Sequence, residues 1–178
     1  MNAFILLQAL RDYLTPRLAK FPMAIYGRDS KGCPIVPDEG EPMRPCAVHI
    51  GSMPPTVNEA LSAAPFILAQ ILEGNDDGDG LQNIRVVLRL CIVADDYEAA
   101  ENDLQNLLSQ LRLWLLEAPG GTIGNGRFRL MPYAENEGKL PWERPDEQVH
   151  PFLQAHIFSQ WQSLGAARTP ASGMEDYE

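Results

Sequence analysis

The chain has 178 residues, 45% hydrophobic and 8% aromatic, with 24 acidic against 14 basic side chains and a formal charge of −10. A domain of that length buries about 70% of the surface its unfolded form exposes, so a true core is expected and general disorder is excluded. The negative balance repels phosphate backbones, which argues against nucleic-acid binding as a main role, and no apolar run reaches the roughly 20 residues of a membrane span.

Met1-Asn2-Ala3-Phe4-Ile5-Leu6-Leu7 is faintly like a signal segment, yet it lacks a basic start and is interrupted by Gln8, Arg11 and Asp12; cytoplasmic synthesis is the expectation. Residues 3 to 14 carry Leu7, Leu10 and Leu14, followed by Leu18, at helical spacing. This predicts a short amphipathic helix with Asn2 as N-cap and Pro16 kinking or ending it. From Tyr26 to Pro55, glycines and prolines at 34, 37, 42, 45, 54 and 55 predict an extended loop with one short strand at Ala47-Val48-His49-Ile50.

Pro65 to Glu73 and Leu81 to Val93 read as two strands of a β-hairpin, joined by the turn-forming residues Gly74 to Gly80. In the second strand Ile84, Val86, Leu88, Leu90 and Ile92 form a wholly apolar face, while Arg85 and Arg89 share the other face with aliphatics. That pattern suits a sheet buried on one side and partly covered on the other. The strongest helix follows, from Tyr97 to Ala118, with Asp95 and Glu98 spaced as a capping box and Pro119-Gly120-Gly121 as its stop. Its inner stripe is Ala100, Leu104, Leu107, Leu108, Leu111 and Leu115. At ~1.5 Å per residue it spans about 33 Å, the length of roughly ten strand residues, so hairpin and helix are matched to bury each other.

Two more strands are predicted, Arg127 to Tyr133 and Val149 to Trp161, separated by a polar segment with Gly138, Pro141 and Pro145. The expectation is one α+β domain over residues 1–164, with 26–55 as an extended loop region. Its core is a mainly antiparallel (mixed) β-sheet with a long hairpin, packed by one long and one short amphipathic helix. Residues 165–178 form a polar, acidic tail expected to be disordered.

The clusters with chemical potential are weak. Asn75, Asp77, Asp79 and Gly80 fall on calcium-loop positions, but position twelve is Val86, which brings no carboxylate. Cys33, Cys46 and Cys91 contain no CxxC pair and give no disulfide framework, which suits a reducing compartment. Cys33, Cys46 and His49 offer three zinc-type ligands without a fourth, and ordinary packing is the expected role. His150 and His156 lie near Asp146 and Glu147 in sequence, with no nucleophile motif to serve. Gly120 to Gly126 follows a helix and precedes a strand, the reverse of a phosphate-binding loop, and reads as a turn. Trp142, between Pro141 and Pro145, is expected to plug the end of the sheet, with a partner contact as the other reading. Catalytic, cofactor-binding and metal residues are therefore all expected to be none, and the chain is read as not an enzyme.

Several segments resemble one family when taken in order. They are Pro65-Phe66-Ile67-Leu68 leading to Leu72-Glu73-Gly74 and the acidic tip, and Val86 to Val93 ending in Asp95-Asp96. The helix segment Asp103-Leu104-Gln105-Asn106-Leu107-Leu108, Phe128-Arg129-Leu130, and Pro141 to Phe152 with Glu147-Gln148 complete the set. Over residues 64 to 161 they resemble the small tail-terminator or tail-completion (minor tail) proteins of long-tailed bacteriophages and prophages. The resemblance implies a tail-terminator-like fold whose copies assemble into a ring, typically hexameric. Such a ring caps the tail tube, stops its polymerisation and prepares it for joining to the head. It further implies the tail tube protein and head-tail connector proteins as partners, and a place in the host cytoplasm during assembly and then in the virion tail. It brings no catalytic or cofactor residues, and the Cys33 to Pro55 loop is longer and richer in proline than the family pattern. A neck or head-completion adaptor of the same particle is the alternative, and a metal-dependent or hydrolytic enzyme using Cys33, Cys46 and His49 the more distant one. For ring contacts, the Arg85/Arg89 face and the acidic hairpin tip are the expected complementary charges between neighbours.

Overall fold

The computed structural model describes residues 3–24, 43–52, 64–76, 80–93, 97–134, 137–148 and 152–164. Asn2, Cys33, Asp95, His150 and the tail 165–178, on which several expectations fell, lie outside them.

Helix α1 spans Phe4–Leu18 and buries Leu6, Leu7, Leu10, Leu14 and Leu18. Pro16 lies inside it, so the helix does not end there, which was one of the two outcomes expected of that proline. A proline there forfeits the hydrogen bond to the carbonyl four residues back and crowds it, at about 3 kcal/mol. Burial of Leu14 and Leu18 on either side offsets much of that, since each fully buried leucine contributes about 1.5–3 kcal/mol. The carbonyls flanking the disrupted position also accept side-chain hydrogen bonds, Arg11 from the Thr15 hydroxyl and Tyr13 from Arg17 Nη1, each at 2.7 Å.

Strands β1 (Pro22–Ala24) and β2 (Met43–Pro45) pair with each other, and β3 (Ala47–Ile50) joins the main sheet. The loop region thus holds a second strand, at Met43–Pro45, where one was predicted. The hairpin forms as expected from β4 (Phe66–Asp76) and β5 (Leu81–Val93). Its ladder runs further than the turn chemistry suggested, pairing Gly74, Asn75 and Asp76 with Ile84, Asn83 and Gln82. These residues have little intrinsic strand preference. They extend because β5 is itself held along its whole length by β9 (Phe152–Leu164), from Leu81 against Leu164 to Val93 against Phe152.

Helix α2 (Tyr97–Leu116) follows, then a short turn at Pro119–Gly121 and strands β6 (Thr122–Ile123), β7 (Phe128–Met131) and β8 (Trp142–Glu143). The strand order is β3-β4-β5-β9-β7-β6, with β8 pairing β9 beside β7; β3 and β4 are parallel and the other pairs antiparallel. Among the described residues the molecule is thus an α+β domain with a curled, mixed sheet and two helices. Helix α2 packs on the central strands β5 and β9, whereas α1 touches β3 and β4 near one edge and β6 at the other, which is where the curl shows.

The alternation read from β5 is realised. Ile84, Val86, Leu88, Leu90 and Ile92 meet the leucine stripe of α2, together with Leu153, Ala155, Ile157 and Trp161 of β9. On the opposite face Ala64, Phe66, Leu68, Cys91, Val93 and Phe152 form a second, smaller cluster, so that face too is covered at one end. None of the described helices is long and apolar enough to cross a membrane.

Candidate functional site

The connection between β7 and β9 is tied down from two sides. Arg112 Nε of α2 donates to the Leu140 carbonyl at 3.1 Å, and Arg144 pairs with Glu101 of the same helix. Gln148 then clasps the start of β9, accepting from the Gln154 N–H at 2.7 Å and donating to the Pro145 carbonyl at 2.7 Å. This anchoring holds β8 against β9 and sets Glu143 opposite His156. The Glu143 carboxylate lies 3.3 Å from His156 Nδ1. His156 is a partly buried strand histidine, and its carboxylate partner is Glu143 and not the Asp146 or Glu147 that lie near it in sequence, because strand register chooses the partner and Glu143 is the residue β8 puts there. Ser159, three residues along the strand, takes the opposite face, where its hydroxyl accepts from Trp161 Nε1 at 3.0 Å and donates to the Val86 carbonyl at 3.3 Å. No hydroxyl nucleophile joins the His156–Glu143 pair among the bonds described.

Cys46 and His49, the zinc-type residues among those described, are separated as well. Cys46 belongs to the main core, while His49 sets its ring edge against Phe66 of the smaller cluster, with centroids 5.7 Å apart. Burial pushes the Cys46 thiol far up, with Cys91 adding to the rise and Arg44 opposing it; burial raises the Cys91 thiol to about 12. A thiol so poor in thiolate is a weak ligand and a weak nucleophile. Among the described residues no three His, Cys, Asp or Glu side chains gather as a metal site. Asn75, the first position of the calcium-like pattern, sits in the β4 ladder against Asn83. Trp142 does not plug the sheet: it is 45% exposed.

The surfaces that stand out are an exposed sheet edge, here termed the arm, and a groove. Beyond Ala69, where pairing with β3 ends, β4 continues through six consecutive exposed residues, Ile71–Asp76. A bulge between Ile71 and Glu73 leaves Leu72 out of the ladder, and Ile71 and Leu72 are 37% and 47% exposed. Arg85, expected to face a neighbouring copy, is engaged within its own hairpin by Glu73 at 3.0 Å. Arg89, the other expected contact, is only partly exposed.

The groove runs along α1 between Ile5, Ala9 and Tyr13 on one side and the turn Gly124–Arg127 on the other, with a volume of about 640 Å³. That lies within the range of cavities that take up small ligands or several side chains. Gly124 makes the close wall possible. Its φ of +62° strains any other residue, and a Cβ there would lie 3.1 Å from Ala9 Cβ and Phe128 Cδ2, so these walls would have to give by a few tenths of an ångström to admit one. Arg17 stands over the Tyr13 ring at 3.6 Å, and Tyr13 donates its hydroxyl to the Trp114 carbonyl at 2.8 Å, so this cation is held in place. Nothing in local sequence pattern signals the groove, because its walls come from residues more than a hundred positions apart.

Comparison with protein-family models finds no match, and comparison with curated proteins finds none.

Proposed function

We propose that this chain is a structural component of a long-tailed phage or prophage particle, a tail terminator whose copies form a ring that caps the tail tube and joins it to the head. The observation that carries the reading is the order of segments. A long hairpin (Phe66–Val93) is followed by a leucine-striped helix packed across it and a last long strand ending past Trp161, the order in which the resemblance places them. The exposed β4 edge and the separate groove are in keeping with a protein that works through contacts between copies. The zinc-type arrangement favours no enzymatic reading, since Cys46 and His49 take part in different clusters.

The test is deletion of the gene from the phage or prophage that encodes it, followed by electron microscopy of lysates. A terminator predicts tails of uncontrolled length not attached to heads. Tails of normal length that fail to join heads favour the neck adaptor, and intact particles remove the virion reading altogether.

A further inference from the structure

We infer that the β4 arm of one copy seats in the α1 groove of the next, a head-to-tail contact that rests on the ring-forming reading above and names its surfaces. The two surfaces are complementary in chemistry. The arm offers Ile71 and Leu72 as exposed aliphatics and ends on Asp76, which has no ion pair among the described residues. The groove offers apolar walls from Ile5, Ala9 and Phe128 with two cations, Arg17 and Arg127, on a chain whose net charge is −10. Arg127 is exposed and likewise has no ion pair among the described residues. Two carboxylates lie near, Asp12, engaged by Arg11 at 3.6 Å, and Glu117, close enough to bear on the Tyr13 hydroxyl, so the excess of cations comes from Arg11, Arg17 and Arg127 together.

Topology puts the two surfaces where such a contact needs them. Asp76 pairs with Gln82, Gln82 with Ser163, and Ser163 with Phe128 of the groove, so arm and groove lie at the same end of the sheet. They belong to opposite sides of the strand order, since β5, β9 and β7 follow the arm strand and the groove lies beyond, at the β6 side. Three strand spacings, about 14 Å along the sheet, separate β4 from β7, and the arm runs as the exposed edge of the sheet beside β5. A contact between two different patches at one end of the molecule is heterologous. Repeated from copy to copy, it closes into a ring when the rotation allows and runs on as a filament otherwise.

The test uses two full-length variants, Arg17→Glu/Arg127→Glu in the groove and Leu72→Asp/Asp76→Arg on the arm, each checked for unchanged circular dichroism. Sedimentation velocity should show the wild type assembling and each variant alone weakened by about a hundredfold, since opposed like charges replace attraction in the contact. Mixed in equal amounts, the two variants should associate again, because the mixture holds one intact arm and one intact groove per pair and the two charge-reversed surfaces are once more opposite in sign at the position of Asp76. A wild type that stays monomeric, variants that assemble like it, or a mixture that stays monomeric each overturns the contact. The terminator reading is judged separately. If the deletion yields overlong tails and both variants restore normal length, the function stands and this contact falls.

Discussion

Cys46 and Cys91 are buried where a thiolate cannot be solvated, and the cost of ionising them is a statement about stability. In the folded chain Cys91 is raised from an ordinary 9.0 to about 12, and Cys46 is raised further still. Below pH ~9 both states hold these protons, and the thiols add no pH dependence. Between that value and the folded one, the unfolded chain releases protons that the folded chain keeps. Stability then falls with rising pH, at up to about 1.4 kcal/mol per pH unit for each thiol. Urea unfolding between pH 8 and ~10.5 should therefore show a decline that is shallower in the Cys46→Ala/Cys91→Ala variant, whatever the variant's own loss from smaller side chains. Parallel slopes for the two proteins would show that these thiols are not the groups being held protonated.

Among the elements, β9 depends on its first turn of anchoring more than its length suggests. Gln148 supplies the acceptor for the Gln154 N–H and closes the preceding chain on the Pro145 carbonyl, so Gln148→Ala leaves a partly buried backbone donor without its partner. The expected loss is about 1–3 kcal/mol, with faster hydrogen exchange at the Gln154 amide. Gln148→Glu keeps the acceptor and loses only the donation, so it should fall between alanine and wild type. Equal losses in the two variants, or an unchanged Gln154 amide, would remove the clasp from the account. That clasp was invisible in the sequence, whereas β5 and α2 were legible from it, because their apolar periodicity repeats over enough residues to specify one face. Three features escaped for a common reason. The passage of α1 through Pro16, the ladder through Gly74–Asp76 and the two-residue strands β6 and β8 are imposed by neighbouring elements against local preference. The His156–Glu143 pair escaped likewise, since strand register and not sequence distance selects it. So did the groove, whose walls meet only when α1 lies beside the β6–β7 turn.

At the scale of the whole molecule, one core cluster takes buried side chains from α1, β1, β4, β5, α2, β6, β7 and β9, with Val48 and Ile50 of β3 packed against it, and the smaller cluster lies on the reverse of the same strands β4, β5 and β9. None of these contributing elements can leave without opening that shared interior, so equilibrium unfolding should be a single transition. Three tryptophans allow the point to be tested, because they sample different depths. Trp161 of β9 is fully buried, Trp114 of α2 is half-buried with Phe21 edge-on to it at 6.1 Å, and Trp142 is exposed. Replacing Trp142→Phe removes the exposed reporter at little cost, since a surface change away from packed features usually moves stability by no more than about 0.5 kcal/mol. In that variant, indole fluorescence reports the core, far-ultraviolet circular dichroism reports the helices and sheet together, and reactivity of the Cys91 thiol reports the smaller cluster. All three should give one urea midpoint, measured at a protein concentration low enough to keep copies apart, where assembly adds nothing to the apparent stability. If Cys91 becomes reactive at a lower denaturant concentration than the indoles respond, the smaller cluster opens on its own, and the sheet is then a stable face carrying a separately melting one.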